Sequence, residues 1–168
     1  MTFPRLARCG MAVVALHNAE EALTIPTWLP PRLAQLERQF HIQPLAADPA
    51  RLYVGLLLAT LIPAIWVAFA SRTAPRRLGA YSILVLYGVF LANAFVPHLA
   101  GALLLGGYVP GVITAGLLVL PFTVWLSCRA VMDGYASRQG VVVALLAAVL
   151  LYLPAWGVLL GVWRQVEA

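Results

Sequence analysis

The chain has 168 residues, of which 62% are hydrophobic and 10% charged, with a formal net charge of +5 at pH 7. Soluble domains carry about 25% charged residues, so this composition excludes an ordinary soluble domain and predicts an integral membrane protein, one helical domain over 1–168. Every positive charge is an arginine in or beside a short link between apolar segments, a pattern that sets topology and meets anionic headgroups rather than nucleic acid.

The expected fold is all-α: a polytopic transmembrane bundle of about five membrane helices plus a short interfacial helix. The first membrane helix is expected at about 6–23, ended by Pro26, Pro30 and Pro31, with Trp28 as an interfacial aromatic. A cleaved signal peptide is the competing reading of this run, with Arg5 and Arg8 before it and Ala19 at a cleavage-like position. Cleavage there would remove part of the site described below. Residues 31–49 place Leu33, Leu36 and Phe40 on one face, with Arg32, Gln35 and Arg38 away from it. This reads as a helix on the membrane surface, with His41 solvated.

The second span, 52–70, is uncharged, with Pro63 expected to kink it. No charged residue occurs from Leu78 to Cys128, a length that needs two crossings. These are expected at 78–105 and 112–128, joined by the turn Gly106–Gly111. A fifth span is expected at 140–163. Five crossings put Arg5, Arg8, Arg72, Arg76, Arg77, Arg129 and Arg138 on one side and Arg32, Arg38, Arg51 and Arg164 on the other. That imbalance predicts a cytoplasmic N-terminus and a C-terminus on the opposite side. Cys9 and Cys128 are then free thiols on the reducing side. Asp133, at a helix end beside several arginines, reads as their solvated partner.

One stretch of the first span departs from its apolar surroundings. His17, Glu20, Glu21 and Thr24 fall at i, i+3, i+4 and i+7, on one helix face. Each charged group near a span centre costs about 2.5–3.5 kcal/mol, whereas each Leu or Val contributes only about 0.3–0.6 kcal/mol. The apolar residues of this helix do not offset two carboxylates, so the polar face must look into the bundle.

Odd-numbered spans run in the same direction, so depth can be compared at about 1.5 Å per residue. Glu20 then lies roughly 21 Å beyond Leu6, Asn93 roughly 22 Å beyond Leu78, and Tyr152 and Trp156 roughly 18–24 Å beyond Gly140. Thr114 and Tyr108 belong to the same level, where the fourth span begins. The candidate catalytic group is therefore Glu20, Glu21, His17, His98 and Asn93, with Tyr108, Thr114, Tyr152 and Trp156 as a substrate pocket. Pro97 is expected to aim His98 inward. Imidazole with carboxylate is a ligand set for zinc or non-haem iron, so His17, Glu20, Glu21 and His98 are candidate ligands of a divalent metal. The bland alternative is a buried polar network that only fixes helix packing.

His17-Asn18-Ala19-Glu20-Glu21 followed by Pro26-Thr27-Trp28, then Asn93, His98 and Tyr108-Val109-Pro110-Gly111 with Thr114, resembles the HXXEE family of integral membrane proteins. The resemblance spans roughly Leu16 to Pro121. It implies a small multi-helix membrane protein with a polar intramembrane site, and it brings no settled reaction.

Two classes of function follow from the residues. One is a membrane enzyme acting on a lipophilic substrate (isoprenoid, sterol-like or acyl lipid), by acid–base isomerisation or cyclisation or by metal-assisted hydrolysis or oxidation. The other is a small transporter coupled to protons or a metal. An accessory subunit is a third reading. The substrate, the metal, the reaction and the oligomeric state stay open.

Overall fold

The computed structural model describes residues 1–40, 48–74 and 77–166, with side chains for 1–38, 48–74 and 77–154. The described residues are mostly helical, and no strand occurs among them. We number the helices α1 (Phe3–Trp28), α2 (Leu33–Phe40), α3 (Pro49–Thr73), α4 (Arg77–Leu105), α5 (Val112–Met132) and α6 (Arg138–Val166). Among these, α3, α4 and α5 are long and apolar enough to cross a membrane, and the first part of α6, Arg138–Pro154, is a shorter apolar stretch. Helix α1 has the length, 26 residues, but carries the polar face.

A helix lies over each of the five expected segments, with ends displaced by a few residues, and three of these helices have the length and apolarity of a span. The first expectation to fail is the stop at Pro26. Helix α1 continues through it to Trp28 and closes with the Leu29 amide donating to Ile25. The chain then turns through a short 3-10 segment, Pro30–Arg32, into α2. There Leu36 is buried and Gln35 and Arg38 are exposed. His41 lies outside the described residues.

Helix α3 faces outward along most of its length. Val54, Leu57, Ile62, Ile65 and Phe69 are all more than half exposed. A row of large apolar side chains of this kind suits lipid, not water. The inner core gathers at the end where α1 begins: Phe3, Leu6 and Ala7 of α1 pack with Val67 of α3, Ile83, Leu84 and Tyr87 of α4, Leu126 of α5 and Ala144 of α6. Small residues let the helices approach. A Cβ at Gly88 would lie 2.6 Å from that of Ala148, the close contact by which helices associate without a hydrophobic driving force. The Tyr87 hydroxyl donates to the Ala7 carbonyl at 2.6 Å.

Asp133 is an arginine's partner, as expected, but it is largely covered and also holds the start of α1. Its Oδ2 accepts from the Phe3 amide at 2.8 Å and its Oδ1 from Arg129 at 2.7 Å. It therefore caps the start of α1, where helix amides lack partners. Cys9 and Cys128 are exposed free thiols.

Helices α4 and α5 are each interrupted by a π-type turn, Ala94–Leu99 and Ala115–Val119. In α4 the break centres on Val96 (φ −131°, ψ 117°), followed by a cis peptide to Pro97. The link between the two helices closes with left-handed glycines, Gly106 (φ 65°) and Gly111 (φ 83°), as the sequence Gly-Gly-Tyr-Val-Pro-Gly predicts. These irregular pieces lie next to the polar face of α1.

A candidate metal centre between α1, α4 and α5

His17 and His98 are 4% and 1% exposed. Their rings meet edge to face, with centroids 4.7 Å apart. Each ring is oriented through its Nδ1. His98 Nδ1 lies 2.7 Å from the carbonyl oxygen of Pro110, which can only accept. His17 Nδ1 lies 2.8 Å from Thr114 Oγ1. The single hydroxyl hydrogen of Thr114 goes to Glu20 Oε2, 2.6 Å away, so Thr114 accepts from His17. Both imidazoles thus carry hydrogen on Nδ1 and leave the Nε2 lone pair bare.

Those two Nε2 atoms face the same space. Glu21 Oε1 is 3.5 Å from His98 Nε2. One nitrogen from each of His17 and His98 and one oxygen of Glu21 lie within 4.8 Å of one another. Asn93 completes the group, its Nδ2 at 3.1 Å from His98 Nε2 and 3.5 Å from His17 Nε2. Behind Asn93, the Tyr152 hydroxyl of α6 lies 2.9 Å from Oδ1 and also bonds the carbonyl of Val96, exposed by the break in α4.

Glu20 and Glu21 part company. Glu20 sits outside the cluster and accepts from the Tyr108 hydroxyl (2.8 Å), the Ile113 amide (3.4 Å), and the Thr114 amide and hydroxyl (2.8 and 2.6 Å). These donors occupy both carboxylate oxygens in the acceptor-only role of the ionised group. The two amides open α5, so Glu20 caps that helix from α1 and favours its dipole. Desolvation together with this carboxylate pushes the Tyr108 phenol above its ordinary pKa, which keeps it a donor. Both Glu20 oxygens are engaged by these donors, and Glu20 reaches His17 through Thr114.

The polar residues expected at one depth therefore meet, with exceptions. Glu21, His17, His98 and Asn93 share one space. Thr114 and Tyr108 hold Glu20, and Tyr152 holds Asn93. The side chain of Trp156 lies outside the described residues. Sequence reasoning missed three contributors. Gly111 lets the backbone pass over the rings: a Cβ there would lie 2.7 Å from His98 Cε1 and 2.9 Å from His17 Cε1. Asn18 donates to Thr60 Oγ1 at 2.7 Å and pins the motif to α3. Trp28 donates to the Tyr108 carbonyl at 2.7 Å while the Arg32 guanidinium stacks 4.9 Å from its ring. Glycine after proline in the link was the one available signal for the first.

The fold and site define a helical bundle of membrane-spanning character with two imidazoles and a carboxylate converging in its interior. The chain belongs to the family described as a protein of unknown function with HXXEE motif, whose model matches residues 9–126. No curated protein and no solved structure matches it.

Proposed function

We infer that this is a membrane-embedded metal enzyme acting on a lipophilic substrate, an isoprenoid, sterol-like or acyl lipid entering from the bilayer. One observation carries the reading: His17 and His98 both commit Nδ1 as a donor and both turn Nε2 toward Glu21. Fixing the outer nitrogen so that the inner one is free is how proteins orient metal-binding histidines. Two imidazoles and one carboxylate suit zinc or iron(II) and leave coordination positions for other ligands. Such an ion supplies Lewis acidity or redox chemistry. The chain's own residues position it. Glu20 through Thr114 fixes His17, and the Pro110 carbonyl fixes His98. The outward apolar faces of the bundle give a lipid lateral access. The arginine distribution supports a cytoplasmic N-terminus, with the site in the half of the bilayer away from it.

Metal analysis of protein purified in detergent tests the first half. About one zinc or iron per chain is expected, and less than about a tenth of that after Glu21→Gln or His98→Ala. A wild-type protein that binds neither ion removes the reading. The second half is tested by incubating total membrane lipid with loaded and metal-stripped protein and comparing lipids by mass spectrometry. Identical lipid profiles overturn the enzyme assignment.

A proton- or metal-coupled transporter is the second reading. The paired breaks in α4 and α5 beside the site favour it, because interrupted helices at midplane sites recur in secondary transporters. Uptake into proteoliposomes that collapses with the ion gradient would establish it.

A further inference from the structure

We propose that Asn93 is the fourth ligand of the metal, through Oδ1, and that Tyr152 is the positioning residue that turns the amide into that orientation. The inference rests on the metal reading above and adds a ligand to it.

Counting hydrogens leads to Asn93. Tyr152 has one hydroxyl hydrogen, and both Asn93 Oδ1 and the Val96 carbonyl lie where they would accept it. A carbonyl has no hydrogen to give, so the Val96 bond takes the tyrosine's. The atom of Asn93 that faces Tyr152 is then best a donor. A half-turn of the amide about Cβ–Cγ meets this need. It places Nδ2 against Tyr152 and Oδ1 against the imidazoles, with no other atom moved.

That half-turn is unfavourable without a cation. Oδ1 would face the bare Nε2 lone pairs of His98 and His17 at 3.1 and 3.5 Å. In the metal-free arrangement Nδ2 instead donates to those lone pairs, and the Tyr152 hydrogen is contested. A divalent ion among the ligands reverses the preference. All four inner groups then offer lone pairs to it, and behind them one hydrogen of Asn93 Nδ2 goes to Tyr152 Oη and the tyrosine hydrogen goes to the Val96 carbonyl.

The spacing fits the ion. A tetrahedral site with bonds of about 2.0–2.1 Å puts neighbouring ligand atoms about 3.3 Å apart. The spacings around His98 Nε2 are 3.1 Å to the amide and 3.5 Å to Glu21, with 3.5 Å from the amide to His17. The break at Val96 acquires a role here, since an intact helix would keep that carbonyl for itself. The site so completed is His17, His98, Glu21 and Asn93, one ligand pair from α1 and one from α4.

Cobalt(II) titration of the full-length protein in detergent reads ligand number directly, because four-coordinate cobalt absorbs several-fold more strongly in the visible than five- or six-coordinate cobalt. Wild type should give the strong four-coordinate spectrum. Asn93→Asp keeps the oxygen and should keep that spectrum with equal or tighter binding. Asn93→Leu, similar in volume, should bind at least about 10-fold more weakly, with an altered spectrum. Tyr152→Phe should weaken binding about 10-fold while leaving the band pattern of four ligands. If Asn93→Leu binds cobalt with wild-type affinity and spectrum, this proposal is overturned and the three-residue metal reading stands. If wild type binds no cobalt or zinc, both fall. A circular dichroism spectrum and melting curve of metal-free Asn93→Leu that match metal-free wild type exclude misfolding as the cause of its loss.

Discussion

His98 hands its Nδ1 hydrogen to the carbonyl of Pro110, 2.7 Å away and twelve residues along the chain. The bond crosses the link between α4 and α5, so ring orientation depends on how closely that link passes over the ring.

Gly111 is what permits the approach. Its φ of 83° is costly for other residues by about 1–2 kcal/mol, and any Cβ would press on both imidazoles. Gly111→Ala should lower thermal stability and also reduce bound metal by at least about 10-fold, since the pressed rings carry the ligand atoms. Inductively coupled plasma analysis together with a melting curve separates the two effects. Full metal content in a destabilised protein would show that the glycine serves the turn alone.

Exchanging one carboxylate at a time distinguishes the two glutamates. Glu21→Gln should remove metal and, compared with metal-stripped wild type, leave the melting temperature nearly unchanged, because Glu21 holds no cap. Glu20→Gln places an amide against the donors of Tyr108, Ile113 and Thr114, at a cost of about 1–3 kcal/mol in stability. It should weaken metal binding only about 10–100-fold, through the released His17 ring. Equal metal loss with equal stability in both variants would contradict the division.

That division marks the boundary of what the sequence carries. The i, i+3, i+4 spacing puts His17, Glu20 and Glu21 on one face, and helix rise brings Asn93 and Tyr152 to their level, because both depend only on regular α geometry. Which carboxylate faces the partner ring depends on the rotation of α1 against α5, and that is fixed by distant contacts such as Asn18 with Thr60. Pro26 failed as a stop for a related reason: the helix past it is held by Trp28 against the Tyr108 link, with Arg32 stacked on the Trp28 ring. The break at Val96 was legible from Pro97 only as an irregularity. Its use, an orphaned carbonyl for Tyr152, needs the packed α6.

At the other end of the bundle, Asp133 links the start of α1 to the end of α5 through the Phe3 amide and Arg129. Asp133→Ala leaves a helix-end amide and a guanidinium without their acceptor and should destabilise the fold by about 1–3 kcal/mol. Metal content should be unchanged, because His17 lies some four turns along α1 from Phe3. A thermal shift without metal loss is the expected result; metal loss would mean the two ends are coupled.

The contact of Gly88 with Ala148 sets the separation of α4 and α6, and the site inherits that separation. Ala148 lies one turn before Tyr152, and Gly88 little more than one turn before Asn93, so the two pairs stack along the same seam. Gly88→Ala puts two methyl groups where there is room for one, an overpacking of about 1–3 kcal/mol. Relief by helix separation would lift the Tyr152 hydroxyl from Asn93 and the Val96 carbonyl. Cobalt affinity should then fall toward the value for Tyr152→Phe, although no ligand has changed. The reciprocal double variant, Gly88→Ala with Ala148→Gly, moves the methyl across the seam at nearly constant volume and should restore both stability and affinity. Restored stability without restored affinity would mean that Tyr152 acts on the site by some route other than its distance from Asn93.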